Sequence, residues 1–160
     1  HAEEHKAQKK AIWQRYRDGL ADLPVRMNPI DFASSDPNYW LSCLIIDEDA
    51  MVPHVRGEKD ELWLTEPGKS SPGEILAALT AFNADGRPIW KPMHLQPIYR
   101  MHPFITKDGN GRARSNAYIA GGVPDVGADI FRRGLCLPSD NKMTQEQQER
   151  IIEIIHRCFR

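Results

Sequence analysis

The chain has 160 residues, 41% of them hydrophobic, with 21 Lys and Arg against 22 Asp and Glu for a formal net charge of −1. That length and apolar share predict one soluble domain with a real core, and the near-neutral balance leaves no basic surplus for a nucleic-acid partner. No apolar run approaches the roughly 20 residues a membrane span needs.

In chain order, Ile12, Tyr16, Leu20 and Leu23 recur at helical spacing and predict a helix over most of residues 2–21. Its first half, His1 to Lys10, carries no apolar stripe. That half is expected to fray, or to lie against a region outside this chain. The chain shows no signal peptide and opens on His1 rather than Met, so it is expected to be a piece of something longer. Pro24 to Pro37 is a connector with three prolines.

Tyr39 to Asp47 predicts a strand. Tyr39, Leu41, Cys43 and Ile45 would line one face, with Trp40, Leu44 and Ile46 on the other, so a central position covered on both faces is expected. Asp47-Glu48-Asp49 ends it as a solvated turn. Ser71-Pro72-Gly73-Glu74 reads as a capping box with proline at the first helical position. Ile75, Leu76, Leu79 and Phe82 supply the buried face of that helix, and Asp85-Gly86 is expected to stop it. Pro88 and Pro92 permit only a short edge strand around Ile89 and Trp90.

The stretch from Trp90 to Tyr99 (Trp-Lys-Pro-Met-His-Leu-Gln-Pro-Ile-Tyr) is the densest in chemistry. Its prolines stiffen the backbone on both sides. Lys91, His94 and Gln96 together do not suit a core strand, and the bulky neighbours do not suit a solvated loop. The stretch reads either as a binding or catalytic edge or as an aromatic-rich turn. Between Met101 and Val123, Lys107-Asp108-Gly109-Asn110-Gly111-Arg112 approaches an EF-hand loop and a phosphate loop and completes neither. A glycine turn on a long loop is the plainer reading, from which Arg112 and Arg114 could meet an anion.

Val126, Ile130 and Phe131 predict a short helix with Gly134 as a left-handed cap. Leu135-Cys136-Leu137 is a buried strand ended by Pro138. The last helix opens with Thr144 and Gln147 as capping partners and buries Ile151, Ile154, Ile155 and Cys158, a face widened by Ile152 and Phe159. This order predicts an α/β (α+β) sandwich: a small sheet of about three strands, antiparallel or mixed, packed by helices.

Cys43, Cys136 and Cys158 are odd in number and far apart in sequence, and read as buried free thiols of a cytosolic protein. The six histidines form no zinc pattern, and no Gly-x-Ser-x-Gly elbow exists. No self-sufficient active site is visible.

Several of these segments together resemble the DegT/DnrJ/StrS family of sugar aminotransferases, which depend on pyridoxal phosphate (PLP). They are Trp90 to Tyr99, Arg133-Gly134-Leu135-Cys136-Leu137-Pro138-Ser139, and the Thr144-to-Phe159 helix. Lys9 to Tyr16 is similar to the family's long helix leaving the cofactor domain, and Pro37 to Leu41 to the first strand of its C-terminal domain. The resemblance implies a single C-terminal small domain over residues 1–160, with residues 1–23 leading from a PLP-binding domain and 101–122 as an insertion. It implies a parent enzyme that moves an amino group from an amino acid, usually glutamate, to a nucleotide-linked keto sugar for surface polysaccharide or glycan synthesis. That parent would be a cytoplasmic homodimer. The Schiff-base lysine would lie upstream, so no PLP is expected on this chain alone and Lys91 does not take that role. The substrate-binding candidates are Lys91, His94, Gln96 and Tyr99 on the resembling loop, together with Arg112 and Arg114, which lie on the insertion that departs from the family and are read from the residues alone. The alternative is a stand-alone module that binds a nucleotide sugar or a protein without chemistry.

Overall fold

The computed structural model describes residues 1–52, 54–56, 61–63, 66–99 and 125–160. They fall into two compact units, one of residues 1–89 with 133–160 and the other of residues 90–132. The elements are α1 (Ala2–Gly19), β1 (Val25–Met27), β2 (Ser42–Ile46), β3 (His54–Arg56), β4 (Glu61–Trp63), α2 (Pro72–Ala81), β5 (Arg87–Pro88), α3 (Val126–Arg133), β6 (Gly134–Leu137) and α4 (Gln145–Arg157).

In the larger unit, four strands form one antiparallel sheet in the order β1-β2-β6-β5, and β3 and β4 form a separate hairpin. The α+β class and the antiparallel sheet agree with the sequence reading. The fourth strand is β1, three residues inside the proline-rich connector, too short to show a period. The core lies on one sheet face, where Leu44, Ile46, Leu135 and Leu137 meet Ile12, Tyr16 and Leu20 of α1 and its end, Ile75 and Leu79 of α2, and Ile151, Ile154 and Ile155 of α4. Strand β2 is central as predicted, but its second face is not fully covered: Cys43 and Ile45 are only half-buried. An antiparallel sheet with one dry and one wetter face is the ordinary outcome.

Tyr39 is not part of that strand. Its backbone is left-handed at φ 53°, which breaks the extended run, and its ring packs 5.9 Å from that of Trp13. Trp13 in turn donates Nε1–H to Asn28 Oδ1 at 3.0 Å. The same oxygen accepts the Cys43 N–H at 3.0 Å, so one amide oxygen joins α1 to the sheet. The first half of α1 is helical from Ala2 despite lacking an apolar stripe; Lys6 pairs with Asp36 and Lys9 donates to the Ser139 carbonyl.

The caps follow the sequence with two changes. Ser71 Oγ accepts the Glu74 N–H at 3.1 Å, but the Glu74 carboxylate accepts from Ser70 Oγ at 2.9 Å instead of returning to Ser71. Helix α2 stops at Ala81, with Asn83 left-handed at φ 59°, before Asp85-Gly86 is reached. Gly86 serves a different purpose: a Cβ there would stand 2.8 Å from Leu76 Cδ2 and 3.2 Å from the Cys136 carbonyl, so its bareness lets β5 lie close to β6. Gly134 is likewise not a left-handed cap, since Gly68 is the only described glycine with positive φ. It is the first residue of β6, opposite Ile45, because α3 runs directly into the strand.

Thr144 and Gln147 form the complete reciprocal box at 3.1 and 2.9 Å. Thr144→Ala should therefore lower stability by about 1 kcal/mol, seen as a lower midpoint in urea unfolding. An unchanged midpoint would mean that water replaces the cap without loss. The three thiols are unbonded, yet they are not all apart: Cys43 and Cys136 stand opposite each other across β2 and β6.

Candidate functional site

The smaller unit contains the segment singled out by sequence. Pro92, extended at φ −55° and ψ 143°, starts a 3-10 turn over Met93–Leu95. In it the Leu95 N–H donates to the Pro92 carbonyl and the Gln96 N–H to the Met93 carbonyl, both at 3.0 Å. Gln96 returns to extended backbone, and a second 3-10 turn covers Pro97–Tyr99, closed by Tyr99 N–H to the Gln96 carbonyl at 2.9 Å. The two prolines begin or flank these turns because their fixed φ suits both. Leu95 is buried and anchors the segment, while Trp90, Met93 and Ile98 are among the most exposed large apolar side chains described.

His94 Nε2 lies 2.5 Å from Asp125 Oδ2, with each side chain 24% exposed. The other Asp125 oxygen, Oδ1, accepts the Ala128 N–H at 2.9 Å and so caps α3. One carboxylate thus holds the imidazole and starts the next helix. Gly127 permits the approach, since a Cβ there would stand 3.3 Å from Pro92 Cγ.

Of the predicted site residues, Lys91, His94, Gln96 and Tyr99 lie on this double turn. Arg112 and Arg114 fall outside the described residues, as does the glycine-rich segment around them. Lys91 is exposed, and its ammonium makes no hydrogen bond or ion pair among the described residues. Gln96 is half-buried, with only its backbone engaged among the described residues. His94, by contrast, has an internal partner, since Asp125 secures it. Asp125 was absent from the sequence reading. Its signal was an aspartate immediately before the helix starting at Val126, the usual place for a cap. No group of three or more His, Cys, Asp or Glu among the described residues is placed to hold a metal.

No protein-family model matches the chain. Over 158 residues, 98% of this chain and 32% of the relative, it is 29% identical to EpsN of Bacillus subtilis (strain 168), a protein named as a pyridoxal phosphate-dependent aminotransferase. Among solved structures, a DegT DnrJ EryC1 StrS aminotransferase from Brucella abortus superposes with a TM-score of 0.61 at 19% identity, covering 96% of this chain and 31% of that one. The chain is similar to the C-terminal part of these aminotransferases. DesI, solved in the presence of its TDP-sugar product, superposes with a TM-score of 0.65 at 19% identity over 98% of this chain and 31% of its own. At such identities the structural likeness establishes the fold. The chain spans about a third of the length of these relatives.

The described residues do not by themselves fit a PLP site. Such a site needs a lysine for the aldehyde together with an acidic partner for the ring nitrogen. Lys6 is paired with Asp36, Lys9 donates to the Ser139 carbonyl, and Lys69 pairs with Glu66. Lys10, Lys91 and Lys142 are exposed. None is enclosed, so no chemical step is assigned to these lysines.

Proposed function

We propose that this chain is the C-terminal part of a PLP-dependent aminotransferase that transfers an amino group, from glutamate or another amino acid, to a nucleotide-linked keto sugar. PLP would be held by the remainder of the protein. The similarity to EpsN over nearly the whole chain and the shared fold support this reading. A cytoplasmic, homodimeric parent acting in polysaccharide or glycan synthesis belongs to the same proposal and rests on the family resemblance. So does the treatment of residues 1–160 as one small domain of that parent, with residues 1–23 leading from the cofactor-binding part.

In that setting the double turn meets the sugar nucleotide. The observation that carries this is the contrast between its two basic residues. Lys91 is exposed on a proline-stiffened loop, its ammonium without a hydrogen bond or ion pair among the described residues, and is suited as a compact charge to a phosphate oxygen. His94 is held by Asp125 and would present its ring in one orientation to a sugar hydroxyl. A preorganised donor contributes binding without first being ordered. Gln96 and Tyr99 would complete the polar edge, and Arg112 and Arg114 would meet the anionic end.

The test is Lys91→Ala in the full-length enzyme. We expect KM for the sugar nucleotide to rise roughly tenfold, about 1.4 kcal/mol of lost binding. The melting temperature should stay put, because the exposed side chain makes no hydrogen bond or ion pair among the described residues. Unchanged kinetics would remove Lys91 from the site. For His94, Asp125→Asn should lower kcat/KM while His94→Ala in the Asp125→Asn background adds little, since residues acting as a unit are not additive. Full additivity would separate the two roles.

A further inference from the structure

We propose that Cys43 and Cys136 form an oxidisable dithiol, a modification site at which a peroxide closes a disulfide between the two central strands of the sheet. The proposal is independent of the sugar-aminotransferase reading, because it uses neither the double turn nor any substrate.

The two sulfurs are 3.7 Å apart and the two residues are directly opposite in register. Backbone bonding shows which kind of opposition this is. Cys43 sends its N–H to Asn28 Oδ1 at 3.0 Å and accepts the Asn28 N–H on its carbonyl at 2.8 Å. Both polar groups therefore point toward β1, and none toward β6. Cys43 and Cys136 are thus a non-hydrogen-bonded pair, the arrangement in which antiparallel Cα atoms come to about 4.5 Å. That separation lies inside the range a disulfide spans, about 4.4–6.8 Å. The sulfurs need only close to about 2 Å, and both side chains already leave the sheet on the same face.

Electrostatics point the same way. The hydrogen bond between the thiols, with burial, pushes the Cys43 thiol up, while the same bond holds Cys136 down. Cys136 is 4% exposed and Cys43 half-buried, so an oxidant reaches the pair from the Cys43 side. Cys158 is different: burial pushes its thiol up to about 11, and its S–H is turned to the Ile154 carbonyl at 3.4 Å.

Hydrogen peroxide converts one thiol to a sulfenic acid and leaves as one water. The second thiol attacks that sulfur, forming the S–S bond and releasing a second water. Two thiols are oxidised by two electrons in all, and the peroxide oxygens are reduced to water. The closed loop then includes all of residues 90–132 in sequence.

The experiment is a non-reducing peptide map of the full-length protein after treatment with hydrogen peroxide. A Cys43–Cys136 linked peptide about 2 Da lighter than the two reduced peptides is expected, reversed by dithiothreitol. Cys158 should remain open to alkylation after unfolding. Cys43→Ser and, separately, Cys136→Ser should each abolish the linked species. Sulfinic acid at either cysteine without the link, a link through Cys158, or unreacted thiols in the folded wild type would each overturn the proposal.

Discussion

Ile155→Ala is expected to cost about 2–5 kcal/mol, the range for truncating a large aliphatic side chain in a packed core. For a chain of this size that is on the order of 10 °C in melting temperature. Ile155 is fully buried in the cluster where α4 meets Leu44 and Leu135 of the sheet and Leu79 of α2. Truncation leaves a cavity that three elements must collapse to fill, and a close-packed interior does so only in part. Ile152, three positions earlier on the helix and only half-buried, provides the internal contrast. Its alanine variant should lose markedly less, because more of its surface is already in water. Equal losses at the two positions, or no loss at Ile155, would show that the buried face of α4 is not the one described.

That face was readable because α4 offers every local signal at once: a cap, a reciprocal partner three residues on, and apolar residues at helical spacing. Where one short range settles the outcome, sequence reading succeeded, as at Thr144 or at Pro138 after β6. It failed where the deciding partner is distant. Strand β1 exists because Val25, Arg26 and Met27 pair with Ile46, Ile45 and Leu44, and nothing in three residues announces that. Gly134 looked like a helix cap because glycines commonly are, yet it opens a strand whose register is set by Ile45. Cys43 and Cys136 are separated by most of the chain and become neighbours only through the β2–β6 pairing. The candidate site divides the same way. Its proline-stiffened turn was legible, whereas the Asp125 that secures His94 lies beyond residues 100–124 in sequence and was visible only as a cap signal that went unused.

Arg133 shows how a single side chain can replace a missing rung of the sheet. Since Cys43 turns its polar groups to β1, alternate residues Leu44 and Ile46 turn theirs toward β6. The paired register ends at Ile45 and Gly134, because Arg133 belongs to α3 and its backbone cannot extend the ladder. The Ile46 carbonyl would then be buried without its strand partner. Arg133 Nη1 donates to it at 2.6 Å, from a side chain that is itself buried. Arg133→Met sets relief from burying a guanidinium against, among other losses, the orphaning of this carbonyl. Replacing a buried charge with an apolar group of similar length is often neutral when all its partners go too. Here the carbonyl stays behind, and an unsatisfied buried acceptor costs about 1–3 kcal/mol. Net destabilisation of about that size is expected in urea unfolding of the full protein, with Arg133→Lys recovering part of it through its one ammonium donor. If the methionine variant is as stable as the parent, water reaches the Ile46 carbonyl and the substitute-rung account fails.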